Sequence, residues 1–171
     1  MIDRPLLKQY AADFGITLTD AQTEKLDIYA ALLAEWSQKM NLTAIKAPEE
    51  VLVKHFLDSL TVATVLPAGP IKMIDVGTGA GFPGVPLAIL HDDIDLTLLD
   101  SLNKRLIFLE AVCRETGVTA KRVHARAEDA AKLLGSYYES YVSNYGPNYT
   151  NAYVNSTICF NAVVNNATVV E

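Results

Sequence analysis

A glycine-rich segment, DVGTGAGFPG, occupies residues 75–84 and lies between two apolar runs. The run before it, at 71–74, is typical of a buried strand, and the run after it, at 85–90, is typical of a helix. A turn of this composition lets a ligand lie against bare backbone, with the N–H groups of the helix N-terminus directed at it. Pro83 and Pro86 suit only the first turn of a helix, because that turn has no hydrogen bond to lose.

Two classes of ligand compete for this turn. Gly79, Gly81 and Gly84 match the GxGxxG spacing of dinucleotide-binding loops, and Asp100 follows about 20 residues later. Asp75 favours a different ligand, because a carboxylate beside the glycines would repel a pyrophosphate but attract an ammonium or a sulfonium. S-adenosylmethionine carries both cations and a ribose that Asp100 could hold. The pattern therefore favours this methyl donor over NAD, with an ordinary strand-to-helix turn as the remaining alternative.

The composition predicts one folded domain without a membrane segment. The chain has 171 residues, 50% of them hydrophobic, and no apolar run approaches the length of a membrane span. It begins without a signal peptide, and Cys113 and Cys159 form no disulfide framework, so we expect buried, reduced thiols and a cytoplasmic location. A net charge of −6 does not favour the binding of nucleic acid by bulk electrostatics. We further expect a monomer that holds no metal.

Three helices are predicted before the glycine-rich segment, and strands and helices alternate after it. Thr19 and Gln22 form a capping box ahead of the second helix, and Phe14 is placed on the inward face of the first. The alternation predicts a parallel sheet, with ligands at the carboxyl ends of its strands. The predicted helices are 3–14, 20–40, 48–66, 84–91, 102–116 and 127–134, and the predicted strands are 71–76, 95–100 and 120–125.

The composition changes at Gly135. From there to the C-terminus the only charged residues are two glutamates, and six of the eight tyrosines of the chain lie between residues 137 and 153. We expect residues 137–155 to be a loosely packed polar and aromatic insert, and residues 158–164 to form a fourth strand beside the first. The predicted divisions are a helical extension (1–67), a cofactor-binding half (68–134) and an atypical tail (135–171).

Taken in order, the motifs of this chain resemble those of one known family, the bacterial small-subunit rRNA guanine-N7 methyltransferases, RsmG or GidB. The loop at 75–86 is nearly the cofactor loop of the family, and LLDSLNKR at 98–105 matches the strand and helix that follow it. The likeness covers residues 1 to about 134. The other matching segments are Trp36 with NLT at 41–43, HFLDSL at 55–60, Phe108 with Leu109, and RAE at 126–128.

The resemblance implies an α/β fold, that of the class I S-adenosylmethionine-dependent methyltransferases. Its Rossmann-like, mostly parallel sheet follows a helical extension, and we expect the sheet to be truncated on its C-terminal side. The resemblance also implies S-adenosyl-L-methionine as the cofactor and guanine N7 of 16S rRNA, in the small ribosomal subunit, as the substrate. An enzyme of this kind is the first functional hypothesis for the chain.

The same resemblance implies roles for individual residues. Loop residues would contact the methionine and ribose parts of the cofactor, Asp100 the ribose hydroxyls, and the turn at Ala127 and Glu128 the adenine. For Glu128 the alternative role is that of a carboxylate at the start of a helix. No catalytic residue is identified. The predicted cofactor-binding residues are Asp75, Gly77, Gly79, Phe82, Asp100, Ala127 and Glu128.

Guanine N7 carries a free lone pair, so its methylation requires positioning of the reactants and no general base. His55 is therefore expected to be a structural or RNA-contacting residue. One group of basic residues could meet RNA phosphates locally, and its alternative interpretation is a set of solvated helix and strand faces. This group comprises Lys104, Arg105, Arg114, Lys121, Arg122 and Arg126.

The tail departs from the pattern of the family. Residues 160–167 could be an altered copy of the next strand, with Asn161 in place of an aspartate and Asn166 in place of an arginine that approaches the cofactor. Two other functions therefore stay open, a non-catalytic protein that binds cofactor or RNA and an NAD-dependent oxidoreductase. Asp75 disfavours the oxidoreductase. We expect cofactor binding with at most feeble turnover.

Overall fold

A computed structural model of the chain describes residues 1–126, together with the backbone of residues 160–163 and 168–170. Several predictions lie outside these described residues. They concern the helix at 127–134, the insert at 137–155, and the individual residues Ala127, Glu128, Cys159 and Asn166.

Three parallel strands form the part of the sheet that carries the glycine-rich loop. They are β1 (Ile71–Val76), β2 (Ile94–Asp100) and β3 (Ala120–His124). Both β1 and β3 pair with β2, in a register that brings the ends of all three strands to one edge. The predicted strands and their parallel direction are thus confirmed, and the arrangement is that of a Rossmann-like α/β fold.

Two further strands extend the sheet beyond β1, giving the order β3-β2-β1-β4-β5. The predicted fourth strand is confirmed as β4 (Phe160–Val163), which lies beside β1, but it runs antiparallel to β1. The sheet is therefore mostly parallel, as the resemblance implies, but the expectation that this strand would extend the parallel part is wrong. An apolar run predicts a strand but not its direction, which depends on the edge from which the chain enters the sheet. The edge strand β5 (Thr168–Val170) pairs antiparallel with β4 and was not predicted.

Helices α1 (Arg4–Asp13) and α2 (Asp20–Ser37) both begin at a side-chain cap, and α2 ends three residues before the predicted residue 40. The Oδ1 atom of Asp3 accepts a hydrogen bond from the Leu6 amide at 2.9 Å, and the capping box of Thr19 and Gln22 is complete. The inward placement of Phe14 is wrong, because half of its surface is exposed. Since α1 ends one residue earlier, at Asp13, Phe14 no longer follows the helical repeat that would carry it to the core.

The third predicted helix is a continuous helical run whose winding changes three times. It begins as α3 (Pro48–Val51), widens into a π-helical segment (Leu52–Leu57), returns to α-helix in α4 (Asp58–Thr61) and tightens into a 3-10 turn (Val62–Val65). Wide π-helical turns are rare, and they are frequently found at functional sites. His55 lies in this segment.

Helix α5 (Gly84–Leu90) follows the glycine-rich loop, and α6 (Asn103–Thr116) follows β2. Helix α2 packs against both of them, so one continuous core joins the N-terminal helices to the sheet. Cys113 is buried on α6 as a free thiol, as predicted, and burial raises its pKa. Within the described residues, no helix is both long enough and apolar enough to span a membrane.

Candidate cofactor site

The glycine-rich loop lies at the carboxyl ends of β1 and β2, and its glycines fall into two groups. A Cβ added to Gly77 would meet no atom within 4 Å, and one added to Gly79 would meet only the Gly77 carbonyl oxygen, at 3.8 Å. Both residues have positive φ, +71° and +58°, which L side chains rarely adopt. Their bare backbone therefore borders open space, as a ligand-binding loop requires.

The other two glycines of the loop face the protein itself. A Cβ at Gly81, where φ is +97°, would lie 2.6 Å from both the Leu109 Cδ2 and the Tyr29 hydroxyl oxygen. A Cβ at Gly84 would lie 2.8 Å from Oδ2 of Asp75. These two positions require glycine because the loop packs closely on α2, α6 and β1.

Asp75, at the end of β1, is completely buried beneath the loop. Its Oδ2 accepts hydrogen bonds from the Thr78 hydroxyl at 2.8 Å and from the Gly84 amide at 3.1 Å, so one carboxylate ties together the two ends of the loop. Its Oδ1 has no hydrogen-bond partner among the described residues. Burial raises the pKa of Asp75 to about 7, against the bonds from Thr78 and Gly84, which lower it. The spacing of the motif did not predict that Asp75 holds the two ends of the loop together.

Asp100 ends β2 and is also nearly completely buried. Its Oδ2 accepts a hydrogen bond from the Gly79 amide at 2.9 Å, and its Oδ1 accepts one from the Leu102 amide at 2.8 Å. The guanidinium of Arg105 forms an ion pair with the same carboxylate at 3.2 Å, from a side chain that is about one third exposed. The structure thus brings two of the predicted residues, Gly79 and Asp100, into direct contact.

Register explains how Asp100 reaches the loop. Val76 is paired with Leu99, so β1 and β2 end side by side. The carbonyl oxygen of Leu99 then accepts hydrogen bonds from the amides of Gly77 and Thr78, at 2.8 and 3.0 Å. These bonds continue the pairing into the loop and turn the backbone of Gly79 toward the carboxylate that follows Leu99.

Two aromatic rings stack nearly parallel to the Phe82 ring. The Tyr29 ring stacks on one face with centroids 5.1 Å apart and planes at 12°, and the His55 ring stacks with centroids 4.7 Å apart and planes at 13°. Phe56 meets the Phe82 ring edge-on at 5.3 Å. The Tyr29 hydroxyl also donates a hydrogen bond to the Ala80 carbonyl, so Tyr29 supports two residues of the loop at once. Helical periodicity assigned Tyr29 to the core but gave no sign of this contact.

His55 joins the loop to a second segment of the helical extension. Its Nε2 lies 2.7 Å from the Thr43 hydroxyl oxygen, which also accepts a hydrogen bond from the Ile45 amide at 3.0 Å. Burial lowers the pKa of His55, and the nearby Asp58 carboxylate opposes that shift. The ring is therefore neutral near pH 7, and it serves as a packing surface.

The six basic residues named in the sequence differ in whether they form ion pairs within the described structure. Three of them are paired with carboxylates: Arg105 with Asp100, Arg114 with Glu115, and Arg122 with Glu110. Among the residues that the structure describes, Lys104, Lys121 and Arg126 take part in no ion pair. Over those same residues, no cluster of three or more His, Cys, Asp or Glu side chains could hold a metal ion.

Comparison with known proteins connects this geometry to one family. The profile of the family rRNA small subunit methyltransferase G (GidB) matches residues 22–141. A ribosomal RNA small subunit methyltransferase G from Alkaliphilus oremlandii is 54% identical over 128 residues, which are 74% of this chain and 54% of that protein. Proteins of the same name from Acetivibrio thermocellus and Desulfitobacterium hafniense are 46% and 50% identical, over 74% and 69% of this chain and 52% and 49% of their own lengths. The chain spans about half the length of these curated relatives.

Proposed function

We propose that this chain, a member of the rRNA small subunit methyltransferase G family, binds S-adenosylmethionine and transfers its methyl group to guanine N7 of 16S rRNA. One observation carries the cofactor assignment. The open backbone of Gly77 and Gly79 lies beside the carboxylate of Asp100, and the Gly79 amide donates directly to that carboxylate. An extended ligand with a ribose needs this combination of bare backbone and a fixed acceptor pair.

The residues present fit such a ligand. An ionised carboxylate offers about four acceptor positions, of which the Gly79 and Leu102 amides use two. The other two accept from the partly exposed Arg105 guanidinium, and they would suit the two ribose hydroxyls once that side chain moves aside. The Asp75 carboxylate is buried beneath the loop, and its ionised form would attract the ammonium or sulfonium of the ligand from below the loop backbone without contacting it. Gly77, Gly79 and Phe82 would border the methionine and ribose parts, and Ala127 and Glu128 would hold the adenine.

The methyl transfer requires little from the protein beyond the positioning of the two reactants. When bound, S-adenosylmethionine supplies an electrophilic methyl group, which the free lone pair of guanine N7 can attack without loss of a proton. The task of this chain is therefore to hold donor and acceptor in line and to tolerate a positive charge that moves from one to the other. His55 is not needed as a base, and its contacts with Phe82 and Thr43 already occupy its ring.

Calorimetric titration of the chain tests the cofactor assignment. We expect S-adenosylmethionine and its demethylated product to bind, and NAD to bind more weakly or not at all. Tighter binding of NAD than of either sulfur ligand would contradict the proposal and favour the oxidoreductase.

A second candidate function is cofactor binding with little or no turnover, and the direction of β4 favours it. In the register with β1, Phe160 lies opposite Val76 and Val163 lies opposite Met73, so β4 runs away from the loop edge of the sheet. The family resemblance expects the residue after this strand to approach the cofactor. An assay with undermethylated small subunits and labelled methyl donor separates the two functions, because a catalytic chain would label the rRNA at a rate close to that of a full-length relative.

A further inference from the structure

The loop residue Phe82 is fixed through its side chain by two elements that are distant in sequence. Tyr29 comes from α2 and His55 from the π-helical segment, and the rings of both stack on the Phe82 ring. Only the Tyr29 side is fully buried, since His55 and Phe82 are both partly exposed. Of the two rings that stack on Phe82, His55 is therefore the one that lies toward the protein surface.

The orientation of His55 is itself determined by its surroundings. The Thr43 hydroxyl receives a hydrogen bond from the Ile45 amide, so its own proton is free to point at Nε2 of a neutral imidazole. The π-helical winding of Leu52–Leu57 places this ring over Phe82, and the adjacent Phe56 packs edge-on against both Phe82 and Tyr29. One wide helical turn thus supplies two rings to the same loop residue.

We propose that His55 is a positioning residue for the cofactor loop. It stacks on the partly exposed Phe82 side chain as a planar ring, and it thereby holds the backbone of Ala80–Gly84 in the shape that leaves Gly77 and Gly79 open. Only the expected effect of His55 on cofactor binding rests on the proposed function. Its effect on the loop is a property of the free protein.

Four variants separate the stack from other contributions of this helix. His55→Ala removes the ring, and His55→Phe keeps a planar ring but loses the bond to Thr43. Thr43→Val keeps the ring but removes that bond, together with the bond from the Ile45 amide. Val53→Ala is the matched control, because Val53 lies in the same π-helical segment with an exposed side chain that is not in the stack.

Hydrogen exchange of the free protein is the first measurement. An aromatic pair contributes enough for a two- to tenfold change in an equilibrium, so we expect the loop amides of His55→Ala to exchange about two to ten times faster than those of the unmodified chain. The amides shared by β1 and β2 should not change. His55→Phe should restore slow exchange, and Thr43→Val should have a smaller effect than His55→Ala.

Titration with S-adenosylhomocysteine is the second measurement. We expect His55→Ala to weaken binding by a similar factor, His55→Phe to bind like the unmodified chain, and Val53→Ala to leave affinity unchanged. If His55→Ala lowers the melting temperature but leaves loop exchange and affinity unchanged, the residue is merely structural and the proposal fails. It also fails if His55→Phe behaves like His55→Ala. If the unmodified chain binds no sulfur ligand, the proposed function falls, and the exchange measurement alone decides the role of His55.

Discussion

In the first half of the glycine-rich loop, at Gly77 and Gly79, an added Cβ would meet nothing closer than 3.8 Å, whereas in the second half, at Gly81 and Gly84, it would meet protein atoms at 2.6 and 2.8 Å. The glycines of this one motif therefore have two different structural roles. The open half leaves room for a ligand, and the packed half lets the loop settle on α2, α6 and Asp75. Substitutions in the packed half should act on stability, and substitutions around the open half should act on binding.

The largest effect is expected for Gly81→Ala. Its Cβ would lie 2.6 Å from two side-chain atoms, and its φ of +97° is strained for any L residue. Overpacking and backbone strain together should lower the free energy of unfolding by about 2–5 kcal/mol. Urea unfolding monitored by circular dichroism measures this loss.

Gly69→Ala is the matched control for Gly81→Ala. Gly69 has almost the same φ, +93°, but a Cβ there would meet nothing within 4 Å. Its substitution should cost only the strain, about 1–2 kcal/mol. Equal losses for the two variants would show that the loop accommodates the added Cβ without cost, which would contradict the tight packing around Gly81.

The second prediction concerns pH and the carboxylate that closes the packed half. Burial raises the pKa of Asp75 to about 7 from an ordinary value of 3.8. An acid whose pKa is higher in the folded than in the unfolded protein favours the fold when protonated, and its contribution is lost as the pH rises through the folded value. Between pH 5 and pH 8 the unfolding free energy should therefore fall, relative to Asp75→Asn, by about 2–3 kcal/mol.

Asp75→Asn suits this comparison because its side-chain oxygen can still accept from Thr78 and Gly84. Other titrating groups are shared by the two proteins, so their contributions cancel in the difference. Urea unfolding of both proteins at four pH values supplies the measurement. Parallel pH profiles would mean that Asp75 titrates normally and is less confined than its contacts indicate.

The third prediction addresses the open half. Asp100→Ala removes the acceptor pair beside Gly79, and charge-assisted bonds to ribose hydroxyls should make this cost roughly 1.5–3 kcal/mol of cofactor binding. Glu110→Ala is the control, because Glu110 is largely exposed on α6 and forms only a long ion pair with Arg122. Calorimetry with S-adenosylmethionine measures both variants, and unfolding curves check that Asp100→Ala is still folded. Equal effects would count against the site.

The two halves of the loop show which features of this site could be predicted from the sequence and which could not. Local signals predicted the strands β1–β3 and the helices α5 and α6, because apolar periodicity, the prolines at the start of α5 and the glycine that follows α6 act between near neighbours. Asp100 was also predictable, since parallel strands end at one edge. The distinction between open and packed glycines was not, because it depends on Leu109 and Tyr29, which lie far from Gly81 in sequence.

Two other features depend on contacts that no local pattern encodes. The stack of Tyr29, Phe82 and His55 joins three separate elements. Only the folded chain brings the ring centroids of Tyr29 and His55 within 5.1 Å of the Phe82 centroid. The direction of β4 follows from the route of the chain into the sheet rather than from the apolar residues of the strand. The motif resemblance, which the family profile confirms, supplied the cofactor and the substrate as hypotheses but neither of these arrangements.

The smallest effect is expected for Arg105→Ala, which removes the guanidinium that pairs with Asp100 beside the open half of the loop. Asp100 is already oriented by the amides of Gly79 and Leu102, so its carboxylate does not need the guanidinium to hold its position. Because the Arg105 side chain is partly exposed, its ion pair should contribute less than about 1 kcal/mol to stability. Its removal also frees acceptor positions on Asp100 and takes a positive charge away from a cationic ligand.

We therefore expect Arg105→Ala to bind S-adenosylmethionine about two to five times more tightly than the unmodified chain at low salt, with the difference shrinking as salt screens the charge. Arg105→Lys keeps the charge without the planar guanidinium and should fall between the two proteins. Titrations at two salt concentrations provide the test. Weaker binding by Arg105→Ala at both would mean that the guanidinium helps to hold the ligand, and Arg105 would then belong to the open half as a binding residue.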